Sequence, residues 1–269
     1  MLKNITLGQY FPGDTLIHKL DPRTKLIMTA IYVAALFMAQ GLLSFGIIAL
    51  YLGMMIAISQ VKLKVLVRGL RPLVLILVMT GMINLFLTPG EVFISLGPVS
   101  ITAEGLHRAA TLLVRIICLV MGTFIMTYTT TPMALTDGLE MLMGPLKRIR
   151  MPVHELAMIM STALRFIPTL IEETDKIMSA QKARGANFET GNLFQRARAL
   201  IPILVPLFVS AFRRADELAI AMESRCYHGG EGRTRMRTLS FARRDILTGL
   251  VGVLLLALMF ALRNMGGIL

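Results

Sequence analysis

Between Leu26 and Ser59 the chain runs 34 residues without one charged side chain. At about 1.5 Å of rise per residue, a single helix of that length would reach about 51 Å, far beyond the roughly 30 Å hydrocarbon core of a bilayer. A break at Gln40-Gly41 removes the mismatch. Two short spans, about 26–40 and 42–59, then form a hairpin. Arg23 and Lys25 precede the run, and Lys62 and Lys64 follow it. A hairpin places all four on one side, as expected when Lys and Arg stay in the cytoplasm.

The same reading extends along the chain. Pro72 to Gly90 is the next uncharged stretch and gives a third span, about 72–89, with Pro72 suited to a helix start. Glu91 to Glu104 has two acids, no Lys or Arg, and a turn signal at Gly97-Pro98, which is the profile of an external loop. A fourth span covers about 105–130, and a last one lies within 245–269. The fold expected is therefore an all-α polytopic membrane protein of about five spans, divided into a membrane domain 1–130, an inserted module 131–244 and a final helix 245–269.

Charge gives the orientation. Of 28 Lys and Arg, 25 fall in the N-terminus, the loop after the second span, and the segment 131–244. Only Arg263 falls on the opposite side, and Arg108 and Arg115 lie within the fourth span. Such a bias places the N-terminus and the long module in the cytoplasm. The formal net charge of +12 does not point to nucleic acid: aromatics make up 7%, Trp is absent, and no stretch interleaves rings with basic residues. Cys118 and Cys226 are far apart and make no disulfide framework. The first apolar run is too long and too far in for a cleaved signal peptide, so the chain is expected to be uncleaved.

Within 131–244, helices are expected over about Pro132–Met143, Pro152–Arg184 and Leu193–Arg225. Pro132 and Pro152 stand at helix starts, and Gly185 and Gly229 just past helix ends. The apolar run Ala199 to Phe212 has 14 residues and holds Pro202 and Pro206, too short to span. These helices are expected to lie near the inner leaflet, with apolar faces against the membrane or a membrane partner.

This module carries a weak internal repeat. Asp175 to Gly185 resembles Asp216 to Cys226: Asp stands nine residues before Arg, Ala stands four before it, and a small residue, Ala183 or Ser224, immediately precedes it. Neither Arg184 nor Arg225 has an acid three or four residues upstream, so neither has an intrahelical ion-pair partner. One reading is of ordinary cations dressing helix C-termini, where the dipole favours them. The other is of two projecting guanidinium groups that dock in acidic grooves, since the planar fork binds carboxylates bidentately.

At these residues the chain resembles the transmembrane T component of energy-coupling factor (ECF) transporters, which carry two Ala-Arg-Gly-type motifs at the ends of two coupling helices. Here they read Ala183-Arg184-Gly185 and Ser224-Arg225-Cys226, the second departing at both flanks. Gly8-Gln-Tyr10, the segment from Leu16 to Lys25, Ala163 to Pro168, and Ala221 to Tyr227 resemble the family too. The resemblance implies a non-catalytic scaffold in the plasma membrane of a bacterium or archaeon. It implies two cytoplasmic ABC-type ATPases, each engaged by one Arg motif, and a separate S component that captures a vitamin or metal ion. It implies no cofactor of the chain's own, ATP being bound by the partners.

Other features are weaker. No phosphate-cradling GxxxxGK[ST] loop occurs, so the chain is not its own P-loop ATPase. His18, His107, His154 and His228 are scattered without metal-ligand spacing. Arg108 and Arg115, seven apart, share one face of the fourth span, where pairing or snorkelling is the simpler role. Met133, Met141, Met143, Met158, Met160, Met178 and Met222 fill the module's apolar positions and as a group suit an adaptable surface. A self-contained secondary transporter or channel would favour polar residues within the spans, and a membrane-embedded enzyme would need clustered carboxylates or His near one interface.

Overall fold

The computed structural model describes residues 10–96, 99–186, 188, 192–229 and 239–264. Lys3, Gly8, Gln9, the expected turn at Gly97-Pro98, and Arg233, Arg235 and Arg237 lie outside these residues. Within them the chain is all-α except for one hairpin. The helices are α1 (Pro22–Met38), α2 (Gly41–Ser59), α3 (Leu63–Leu70), α4 (Val74–Leu87), α5 (Ala103–Thr129), α6 (Pro132–Leu142), α7 (Val153–Ala183), α8 (Leu193–Glu223) and α9 (Arg243–Asn264). The chain divides into two compact units: Gly8–Gly138 with Leu239–Leu269, and Leu139–Thr238 together with the first residues of the chain.

The first unit is the membrane bundle. Four helical stretches are long and apolar enough to cross a bilayer: Gly41–Ser59, Leu63–Leu87, Ala103–Thr129 and Arg243–Asn264. Their mean hydropathy is 2.0 to 2.4, yet at most 22% of each apolar window is buried inside the protein. Side chains such as Leu42, Leu50, Leu75, Leu87 and Ile246 therefore face outward and require hydrocarbon around them. α1 has 17 residues, one turn or so shorter than a full span. The third stretch also differs from the expected 72–89. The helix starts at Leu63, and Pro72 sits in a 3-10 turn, Arg71–Leu73, between α3 and α4. Proline is tolerated there because a tightened turn already gives up the i−4 bond. In place of a plain loop, β1 (Val92–Leu96) and β2 (Val99–Thr102) form an antiparallel pair running from Val92↔Thr102 to Leu96↔Val99.

Local chemistry sets the helix ends. Asp21 caps α1 by accepting from the Arg23 N–H at 2.9 Å, with Pro22 in the first turn. The break expected at Gln40-Gly41 is a turn with Gly41 at φ +79°. Thr102 caps α5 by accepting from Gly105 N–H at 3.0 Å, and its hydroxyl donates to the Thr88 carbonyl at 2.9 Å, tying the end of α4 to the start of α5.

Close packing joins α1, α5 and α9. Tyr32 of α1 fills the notch at Gly122 of α5, where an added Cβ would collide with its ring, and donates to the Cys118 carbonyl at 2.8 Å. Gly252 of α9 leaves room for Met28 in the same way. Tyr32 stacks on Tyr51 of α2 with centroids 6.0 Å apart, and Leu36, Ile48, Ile125, Leu255 and Met259 complete the core.

The segment Leu16 to Lys25 is the knot that closes one end of this bundle. The buried Asp245 carboxylate accepts from the Asp21 N–H at 2.8 Å and the Ala242 N–H at 2.9 Å, so it holds the starts of α1 and α9 together. Lys25 donates to the Thr129 carbonyl at 2.7 Å and the His18 carbonyl at 3.2 Å, adding the end of α5. Arg23 lies 5.1 Å from the centroid of the Phe241 ring. His18, Asp21, Arg23 and Lys25 are thus accounted for by structure.

Candidate functional site

The second unit is built around α7 and α8, each of 31 residues. α7 keeps Pro168 inside it, and α8 keeps Pro202 and Pro206. α8 opens on a capping box between Asn192 and Gln195. A helix of 31 residues is about 46 Å long, and α8 buries little of its apolar surface. Ile201, Val205, Phe208 and Phe212, spaced as one helical stripe, are each more than half exposed. Of the module's methionines, Met133 and Met160 are exposed.

The two Arg motifs occupy the C-terminal ends of these helices, and the ends have one geometry. Ala183 is the last residue of α7, Arg184 is its cap, and Gly185 turns into the left-handed region at φ +87°. Glu223 is the last residue of α8, Ser224 is its cap, Arg225 follows, and Cys226 turns left-handed at φ +55°. The closing hydrogen bonds correspond one to one. Gly185 N–H donates to the Lys182 carbonyl at 3.0 Å, and Cys226 N–H to the Glu223 carbonyl at 2.9 Å. Ala186 N–H reaches back to Gln181 at 3.0 Å, and Tyr227 N–H to Met222 at 3.1 Å. All four pairs share an offset of 41 residues, the same as from Arg184 to Arg225. This is the Schellman closure, in which a left-handed residue lets two N–H groups satisfy orphan carbonyls of the last turn.

The consequence is positional. The chain reverses directly after each Arg, leaving it at the tip. Ala183, Arg184, Gly185, Ser224, Arg225 and Cys226 are all exposed, and among the described residues neither Arg184 nor Arg225 has an ion-pair partner. The expectation that Gly229 ends α8 is corrected here. Gly229 also has positive φ, +99°, but the left-handed position next to the helix belongs to Cys226, three residues earlier. Glycine fills it without strain in α7, whereas the cysteine Cβ makes it less favourable in α8.

One contact between the helices sets the distance between the tips. Arg214 of α8 donates to Glu173 of α7 at 2.7 Å, both side chains being half-buried. Arg184 lies 11 residues beyond Glu173, and Arg225 lies 11 residues beyond Arg214. Each arm beyond the contact is therefore about 16 Å long. Glu173 and Arg214 are themselves related by the 41-residue offset. Equivalent positions of two repeats meet each other when the repeats are related by a two-fold axis, and two like charges there would repel. The charge reversal at these two positions makes the meeting attractive. The repeat, carried two residues upstream of Asp175 and Asp216, holds this signal.

At the start of α7, His154 Nδ1 lies 3.1 Å from Glu140. Among the described residues no group of three or more His, Cys, Asp or Glu side chains could hold a metal ion.

These features define a class before any comparison: polytopic helical membrane proteins that carry two equal helical arms, each tipped by a free guanidinium. The comparisons then give the family. A family model described as Cobalt transport protein (CbiQ) matches residues 13–236. The energy-coupling factor transporter transmembrane protein EcfT of Thermosediminibacter oceani is 52% identical over 256 residues, covering 94% of this chain and 97% of that one. Proteins of the same name from Acidaminococcus fermentans and Bacillus subtilis are 48% and 43% identical, each with 98% of this chain covered and 98% and 100% of their own length. The chain belongs to this family, the transmembrane T components of energy-coupling factor transporters.

Proposed function

We propose that this protein is the membrane scaffold of an ATP-driven micronutrient importer, and that its two arginine-tipped arms each dock on one of two cytoplasmic ATPase subunits. The observation that carries the reading is the pair of identical C-terminal closures, at equal reach from a single crossing contact. Such a device fits a partner that presents the same acidic groove twice, as a pair of like ATPases does. ATP-driven closure of the pair would move the arms, and the exposed stripe on α8 would pass the motion to an S component that holds the vitamin or metal ion. The charge bias supports a cytoplasmic location for the arms and N-terminus in a bacterial or archaeal cell membrane. The chain itself performs no hydrolysis in this scheme, and ATP is the partners' ligand.

The test is co-purification of the ATPases with Arg184→Ala, Arg225→Ala and the double variant, alongside uptake. Removing one member of a buried, hydrogen-bonded charge pair costs on the order of 2–5 kcal/mol. Each single variant should weaken one attachment while the other still tethers the pair, and the double variant should lose far more than either. Lys at either position should rescue poorly, having no bidentate fork. Wild-type ATPase retention and full uptake in the double variant would sink two-point docking.

A further inference from the structure

We infer that the membrane bundle binds a phosphate group in a cationic cleft at the end of the bundle away from Asp21 and Asp245. The inference rests on the reading of this unit as membrane-embedded and is independent of ATPase docking. An open cleft of about 310 Å³ lies where the α1–α2 turn meets α4 and the first turns of α5. Its polar walls are Gln40, Asn84, His107, Arg108, Thr111 and Arg115, and no carboxylate lines it.

Arg115 is fixed at this cleft. Its guanidinium donates to the Ala39 carbonyl at 3.0 Å and sits 5.6 Å from the centroid of the Phe45 ring, while its Nε is buried with no partner. Arg108 stands two helical turns nearer the start of α5, on the same face, and is exposed. Among the described residues neither guanidinium forms an ion pair. The acid best placed on the same helix is Glu104, one turn before Arg108, and its carboxylate instead accepts from the Glu91 N–H at 2.8 Å.

Two unpaired arginines at this end run against the charge bias, which leaves the opposite side almost without cations. A cation within or beside the hydrocarbon is costly without a counter-ion. The counter-ion available at the level of a span's end is phosphate, and the guanidinium fork matches its oxygens. With no acid in the cleft to hold a choline or ethanolamine ammonium, a headgroup of net negative charge fits, as does inorganic phosphate.

The full transporter, purified in neutral detergent, provides the test. Native mass spectrometry would follow retention of phosphatidylglycerol against phosphatidylcholine, and thermal unfolding of delipidated protein would be followed with inorganic phosphate against chloride. Wild type should retain phosphatidylglycerol at least tenfold better than phosphatidylcholine if the ligand is a lipid. It should instead be stabilised by inorganic phosphate over chloride if the ligand is the free anion. Either preference should fall about tenfold in Arg108→Gln and further in Arg108→Gln with Arg115→Gln. Arg108 is exposed and makes no contact that folding needs, so the single variant decides the matter even if loss of Arg115 impairs folding. Absence of both preferences in wild type, or a preference unchanged in Arg108→Gln, would overturn the inference.

Discussion

Replacing Arg214 by Glu sets two carboxylates against each other at the contact between α7 and α8, where the native oxygen-to-nitrogen distance is 2.7 Å. The side chains keep 33% and 23% of their surface in solvent, so the pair lies between the exposed and buried limits. Exposed pairs contribute about 0.2–1 kcal/mol, and charged hydrogen bonds about 1.5–3 kcal/mol. A net value of about 1–2 kcal/mol is expected for the native pair. Arg214→Ala should cost about that much, and Arg214→Glu more, because attraction becomes repulsion. The swap Glu173→Arg with Arg214→Glu should recover most of the loss, since the meeting of equivalent positions needs opposite charges in either order. The double-mutant cycle is read in thermal unfolding, and the functional effect in uptake per ATP hydrolysed. If the arms act as levers about this contact, Arg214→Glu should leave the ATPases bound through Arg184 and Arg225 yet lower uptake per ATP, and the swap should restore it. A swapped protein no more stable and no better coupled than either single variant would refute the reasoning.

Other outcomes follow from the helix ends and the knot in the bundle. Cys226→Gly should stabilise the purified protein by about 0.5–1 kcal/mol, because glycine holds φ near +55° without a Cβ clash, whereas Gly185→Val should cost about 1–2 kcal/mol at φ +87°; thermal unfolding measures both. Asp245→Asn replaces one of two accepting oxygens by a donor and should cost about 1–3 kcal/mol, with Asp245→Ala costing more, as seen in unfolding or limited proteolysis. In cells expressing the chain alone, an impermeant maleimide should label the exposed Cys226 only after permeabilisation, and should label Glu91→Cys, in a Cys226→Ser background, from outside; labelling of Cys226 on intact cells would reverse the assigned orientation.

The sequence alone determined what depends on near neighbours and on solvent. Uncharged runs mark the apolar helices because each must find hydrocarbon along its whole length, and the break at Gln40-Gly41 follows from a run too long for one span. α7 and α8 begin and end within two residues of the positions that Pro152, Gly185 and the repeat indicate, because capping is local. The tips Arg184 and Arg225 were legible for the same reason. What only the tertiary structure decided are the choices among distant partners. Asp245 reaches the N–H of a residue 224 positions away, and its low exposure has no trace in its own neighbourhood of basic residues. Glu173 chooses Arg214 because two helices cross there, and the charge reversal within the repeat acquires meaning only once equivalent positions are seen to meet. Cys226, not Gly229, takes the left-handed turn because α8 ends where the next N–H groups can still reach its last carbonyls, a condition of backbone geometry that outweighs the intrinsic preference for glycine. Pro72 likewise reads as a helix start, yet helical structure begins at Leu63, since Leu66 and Leu70 gain burial that the local signal does not contain.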